Sequence, residues 1–237
     1  MICAAMMITP EDSHGQEKTH LGQEILATVE LPEPDREGTV PLETALQGRR
    51  SVRSFTGDPL ELAEVSQMLW AAYGITKTWE GMPGFVRGGL KTAPSAGALY
   101  PLDLYLVAGN VDGLPDGVYL YVPDGHLLHR IIDGDVRPRL VEACLGQSFA
   151  GSAPASIVYS AVFERNTRKY GERGRERYVC MDLGHSGQNV YLQAEALGLG
   201  TCAIGAFTDG QVHETVGMTA KEEALYVMPF GRPAVED

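Results

Sequence analysis

The chain has 237 residues, 44% of them hydrophobic, which is enough for one large domain with a real core. Its 19 Lys and Arg against 31 Asp and Glu leave a formal net charge of −12, which argues against a nonspecific nucleic-acid binder or a protein that coats anionic membranes. No run approaches the length needed to cross a bilayer, and the opening MICAAMMITP lacks the basic flank of a signal peptide.

Residues 1–40 are rich in Pro, Glu, Asp and Gly and read as an arm or tail, with the domain proper at 41–237. Pro41 followed by LETALQGRR predicts a short helix. Asp58-Pro59 opens a second, whose apolar positions Leu62, Val65, Leu69 and Ala72 recur at helical spacing up to Gly74. Trp79–Leu90 is glycine-rich and reads as a loop. KTAPSAGALYPLDLYLVAG follows as a loop with one helical turn, leading into a strand at Leu104–Ala108. VYLYVPDGHLLHRI has two alternating runs flanking a Pro-Asp-Gly turn and predicts a β-hairpin. A helix near Val136–Leu145, a strand at Ala155–Phe163 and the basic RNTRKYGERGRER segment come next.

The stretch Arg175–Phe207 organises the rest. It reads as one long, mostly apolar helix to Leu197, closed by glycines, then a buried strand at Ala203–Phe207. A short helix at Gly210–Val216 and a final strand, LYVMPFG, complete the chain. Helices and strands do not alternate regularly and a hairpin is present, so the expected class is α+β.

Cys3, Cys144, Cys180 and Cys202 are widely spaced without a C-x-x-C pair, so neither a zinc site nor a disulfide framework is signalled. Reduced thiols in a cytoplasmic protein fit this usage. His126 and His129 lie at hairpin spacing with no acid or cysteine to complete a metal set, and read as solvent-exposed; His185 reads as a buried, hydrogen-bonded histidine. GLGTCA at Gly198–Ala203 matches a loose dinucleotide pattern, but that motif needs a strand before its glycines and a helix after them. Here a helix comes first.

GRRSVRSF places Arg49, Arg50, Ser51 and Arg53 together. Arginine forks and a hydroxyl can hold a phosphate, although read alone the cluster is better explained as a solvated basic surface. PSAGALYP brings Pro94, Ser95, Ala96 and Gly97 into a rigid loop of small residues that would let a flat ligand approach the backbone. RKYGERG sets Lys169 beside Tyr170, a pair able to act as base and proton relay.

Taken in this order, RRSVRSF, APSAGALYPLDLY, RKYGERGRERYVCMDLGHSGQNVYLQAEALGLG, CAIGAF and MPFGRP resemble the nitroreductase family of FMN flavoproteins. Within it they are similar to the streptolysin-biosynthesis-type and thiazoline/oxazoline dehydrogenase branch. The resemblance covers residues 41–233. It implies an α+β nitroreductase-like fold, with a mostly antiparallel sheet flanked by helices, forming an intertwined homodimer with FMN at the interface. Carried over by motif, Arg49, Arg50 and Ser51 would hold the phosphate and ribityl chain, with Arg53 near the N1–O2 edge and Arg232 as a further phosphate ligand. Pro94, Ser95, Ala96 and Gly97 would face the ring from the partner subunit. Ala203, Ile204, Gly205 and Ala206 would run along the ring, with the Gly205 N–H near N5. Lys169 and Tyr170 match the pair implicated in azole-forming catalysis. Ala98 and Tyr100 stand where typical nitroreductases carry an asparagine, which favours the dehydrogenase branch. The implied chemistry is two-electron oxidation of a small-molecule or peptide substrate. An NAD(P)H-dependent nitro- or quinone reductase of the same fold is the alternative, and a flavin-binding module without turnover is another. No metal, nucleic acid or membrane is implied.

Overall fold

The computed structural model describes residues 7–8 and 17–234. An eight-stranded sheet has the order β1-β2-β7-β6-β5-β8-β10-β9, and every pair within it is antiparallel. Its strands are β1 (Met7–Ile8), β2 (Ala27–Glu30), β5 (Leu102–Ala108), β6 (Gly117–Val122), β7 (Leu127–Asp133), β8 (Ala155–Ala161), β9 (Gly200–Thr201) and β10 (Glu223–Gly231). A separate small hairpin pairs β3 (Ile75–Lys77) with β4 (Leu90–Lys91).

The central strands are buried on both faces, so their sequence reads as continuous apolar runs although the sheet is antiparallel. Alternation still sorts the side chains. Leu102, Leu104 and Leu106 of β5 join Ile157 and Tyr159 of β8 in one core, beneath α2 (Leu62–Tyr73) and α6 (Val179–Ala196). Tyr105 and Val107 join Val158 and Val227 in the other core, beneath α3 (Arg137–Ala143), α4 (Phe149–Ser152) and α7 (Asp209–Val216). The fold is therefore α+β, a mainly antiparallel sheet flanked by helices. Among the described residues no helix is long and apolar enough to cross a membrane.

Helix α1 (Leu42–Gly48), α2 and the β6–β7 hairpin lie where the sequence places them. Helix α2 starts on a capping box in which Glu61 and Glu64 satisfy each other's backbone N–H groups. Several sequence expectations are corrected. The helix expected from Arg175 opens instead as a π-helical turn, Gly174–Tyr178, and becomes α-helical at Val179. The expected strand at Ala203–Phe207 is reduced to a single bridge between Ile204 and Val227, in the same register as the β9–β10 pairing at Gly200–Thr201. His126 is half-buried: it bonds Ser66 Oγ at 2.7 Å and Tyr121 Oη at 2.8 Å, and burial lowers its pKa. His129 is likewise half-buried, opposite Thr28, whereas His185 is exposed. Within the stretch read as an arm, Ile25, Ala27, Val29 and Leu31 are buried and β2 pairs with β7; Cys3 lies outside the described residues.

Candidate active site

Helix α6 carries a polar anchor near each end. Toward its start, the buried Asp182 accepts the Ser95 hydroxyl at 2.5 Å and the Ala96 N–H at 3.3 Å. Burial raises its pKa, and these two hydrogen bonds offset that only in part. Toward its end, the Tyr191 hydroxyl lies 3.1 Å from Ser51 Oγ and accepts the Ala203 N–H at 2.9 Å. The Arg49 guanidinium sits 5.5 Å from the centre of the Tyr191 ring. Asp182 and Tyr191 are nine residues apart in α6, which is about 14 Å along the axis and about two and a half turns. They therefore point to opposite sides of the helix.

The Asp182 end organises the loop expected from PSAGALYP. Gly97, Ala98 and Tyr100 have φ of 64°, 56° and 45°, a conformation that costs non-glycine residues of order 1 kcal/mol or more and clusters at functional sites. Several hydrogen bonds hold it. The Tyr100 N–H donates to Ser95 Oγ at 2.9 Å, Arg87 donates to the Tyr100 carbonyl at 2.6 Å and Arg165 to the Pro101 carbonyl at 3.1 Å. Both arginines are gathered by the buried Asp103, at 2.7 Å and 2.6 Å. Burial alone would raise the Asp103 pKa, but Arg87, His20 and Arg165 together hold it well below the usual carboxylate range.

Lys169 and Tyr170, at the end of α5 (Glu164–Tyr170), reach this loop. A Cβ on Gly97 would lie 2.5 Å from Tyr170 Oη and 3.0 Å from Lys169 Nζ, so any other residue here would have to displace these side chains. Lys169 Nζ is 5.3 Å from the Tyr170 ring centre, and Tyr170 packs edge-on against Tyr178 of the π-turn at 4.8 Å. Beside them a cavity of about 430 Å³ is lined by Phe85, Leu99, Arg87, Arg165, Arg168 and Lys169.

The Tyr191 end gathers a different set. The backbone after α1 runs alongside β9, with Val52 N–H bonded to the Thr201 carbonyl at 2.9 Å. That approach requires Gly200, whose Cβ would stand 2.6 Å from Val52 Cβ. Arg50 and Arg53 are exposed, and Arg49, Arg50 and Arg53 form no ion pair among the described residues. Gly205 and Ala206 are also exposed. The structure thus brings Arg49, Ser51 and Ala203 together, and separately Ser95, Ala96 and Gly97 with Lys169 and Tyr170. Arg232 stands apart: its guanidinium is bound to Glu64 at 3.0 Å.

Tyr191, Asp182 and Asp103 were not singled out from the sequence. Asp182 and Tyr191 had no distinguishing signal, since α6 also carries His185, Ser186, Gln188, Asn189, Gln193 and Glu195. Asp103 had one, as a lone acid inside an apolar strand.

The sequence profile of the nitroreductase family matches residues 46–232. The chain belongs to the nitroreductase family. It is 45% identical over 205 residues to the Methanocaldococcus jannaschii protein MJ1384, which carries the provisional description of nitroreductase; the match covers 86% of this chain and 97% of that one. It is 29% identical over 153 residues to the microcin B17-processing protein McbC of Escherichia coli, covering 62% of this chain and 55% of McbC. A crystal structure from Ralstonia eutropha, also described provisionally as a nitroreductase, superposes with a TM-score of 0.74 at 28% identity, covering 96% of this chain and 98% of that one. Membership makes the chain a flavin-dependent oxidoreductase in general terms.

Proposed function

We propose that this protein is an FMN-dependent dehydrogenase, working as a homodimer on a small-molecule or peptide substrate, with Lys169 as base and Tyr170 as proton relay. The observation that carries this reading is the bare Gly97, with Lys169 Nζ and Tyr170 Oη set directly over it beside an open basic cavity. When bound, FMN would supply the two-electron acceptor.

The residues present suit that cofactor. Arg49, Arg50 and Ser51 offer charge-assisted donors to a phosphate and its ribityl chain, and Arg53 offers a cation for the electron-rich edge of the ring. Ala203, Ile204, Gly205 and Ala206 offer an extended edge, and the Gly205 N–H has no acceptor among the described residues. Arg232 would join the phosphate site only by leaving Glu64. Pro94, Ser95, Ala96 and Gly97 would come from the second copy. The opposed directions of Asp182 and Tyr191 support this, since one α6 cannot turn both half-sites to the same side. A further support is the apolar surface that a second copy would cover. Leu42, Leu46 and Met181 are 59%, 51% and 53% exposed, and Leu42 borders a groove of about 440 Å³ that Leu192 and Ala196 of α6 also line. Cys144, Cys180 and Cys202 are free thiols, which accords with a reducing cytoplasm.

A visible spectrum of the purified protein, with FMN released on denaturation, is the expected result; a colourless protein that takes up no FMN overturns the proposal. The similarity to MJ1384 favours a second reading, an NAD(P)H-dependent nitro- or quinone reductase. Stopped-flow mixing separates the two, because NADH or NADPH bleaches the flavin rapidly only in the second. If Lys169→Met and Tyr170→Phe turn over substrate as fast as the parent, the role given to the pair fails, and a flavin-binding module without turnover is left if no substrate is oxidised at all.

A further inference from the structure

A separate cavity of about 320 Å³ lies between the end of α2, the β3–β4 hairpin and the adjoining parts of β5 and β6. Tyr73, Arg87, Lys91, Leu104, Tyr121 and Val122 are among its lining. Lys91 and Tyr73 are only 8% and 2% exposed. The Tyr73 hydroxyl is fully buried and has no hydrogen-bond partner. Lys91 Nζ stands 5.1 Å and 5.4 Å from the ring centres of Tyr73 and Tyr100, and it makes no hydrogen bond or ion pair among the described residues. The acceptor nearest in kind, Asp103, is already taken by Arg87, Arg165 and His20. The cavity therefore holds two spare donors and no spare buried acceptor. Buried polar groups ordinarily find partners, and the orphaned Tyr73 hydroxyl, on a residue that lines the same space as the unpaired Lys91, calls for an acceptor from outside.

We propose that this cavity binds a small organic carboxylate, its oxygens held by Lys91 Nζ and Tyr73 Oη and its apolar body lying against Leu104, Tyr121 and Val122. The size is that of a small-molecule site with a few convergent polar groups. The charges around Lys91 are mixed, and the two carboxylates among them, Asp103 and Asp124, line the cavity with it. Arg87 and Arg165 face Lys91 from the positive side, Asp103 and Asp124 from the negative, and Tyr73 and Tyr100 present ring faces. Burial, and then the Arg87 charge, lower the Lys91 pKa to about 7. A bound carboxylate restores the charged form, so binding near neutral pH takes up a proton from solution and weakens as the pH rises.

Calorimetric titration of the full chain with benzoate tests this, with inorganic phosphate as a second probe. Saturable benzoate binding is expected, tighter by about tenfold at about pH 6 than at about pH 8. Near pH 7 the heat should depend on the buffer's ionisation enthalpy, showing the proton uptake. Lys91→Met should weaken benzoate binding by about tenfold or more and abolish that dependence, and Tyr73→Phe should weaken it by roughly fivefold. Both variants remove a buried polar group while keeping most of the shape, and a thermal melt on each confirms the fold. The proposal is overturned if the parent shows no saturable benzoate binding across this range, if both variants bind as tightly as the parent, or if phosphate binds in preference to benzoate.

Discussion

The two ends of α6 are built on opposite principles. At the Asp182 end a loop in an unfavourable backbone conformation is pinned by two buried carboxylates, Asp182 directly and Asp103 through Arg87 and Arg165. At the Tyr191 end the backbone is extended, the arginines form no ion pair among the described residues, and the ties are one tyrosine hydroxyl and the Val52–Thr201 backbone bond. The first region satisfies its loop-pinning charges from within, which fixes geometry where chemistry is to happen. The second leaves positive charge unsatisfied, which suits it to an anion that arrives from outside.

The pinned region should respond to substitution through stability, the open one through ligand binding. Asp103→Asn should have the largest effect, a loss of about 3–5 kcal/mol in urea unfolding, because it leaves Arg165 buried without its counter-charge. The folded Asp103 pKa is depressed, so the stability it contributes is present above the ordinary carboxylate pKa and is lost as the pH falls below about 4. Acid titration of the parent should show that loss and the variant should not. Lys91→Met should act in the opposite direction, stabilising by about 2 kcal/mol at neutral pH. Its folded pKa of about 7 against an ordinary 10.5 means that the cost of burying the charge is complete below pH 7 and is relieved as the pH climbs toward 10.5. The parent's stability should rise through that window more steeply than the variant's. Gly97→Ala should cost about 1 kcal/mol for its backbone angle and lower turnover by roughly tenfold to a hundredfold, because the new methyl displaces Tyr170 and Lys169.

Smaller effects on stability are expected at the open end. Tyr191→Phe removes the hydroxyl shared by Ser51 and Ala203 and should cost about 1 kcal/mol or less, with FMN affinity falling several-fold. Arg50→Ala should leave the melting temperature almost unchanged, since its guanidinium bonds only to the local carbonyls of Gln47, Gly48 and Arg49. FMN retention should nevertheless fall by about tenfold, read by fluorescence titration. If Arg50→Ala unfolds the protein while Asp103→Asn does not, the contrast between the two ends is wrong.

Most of the local structure was legible because its signals are local. Alternation and a Pro-Asp-Gly turn give the β6–β7 hairpin, and helical spacing gives α2. The strand at Ala27–Glu30 was not legible, because its partner lies about a hundred residues away in β7 and its flanks are polar. The apolar segment after Cys202 reads as a strand, yet the ladder on β10 starts at Gly200–Thr201, whose small residues carry little strand propensity, and is continued only by Ile204. His126 was read as exposed because nothing beside it in sequence shows that Ser66 and Tyr121 close around it. Among the candidate site residues, Lys169 and Tyr170 were singled out as neighbours in sequence, whereas their meeting with Gly97 crosses more than seventy positions.

The sequence by itself determined the family, the α+β class and the residue types able to hold a phosphate and move a proton, since these rest on side-chain chemistry and short-range order. Only the tertiary structure decided which groups meet. Asp182 and Tyr191 look alike in sequence, as two of several polar residues on one helix; the rotation of α6 sends them to opposite sides, and the neighbours packed there make one a clamp on a strained loop and the other a tie beneath an open basic edge.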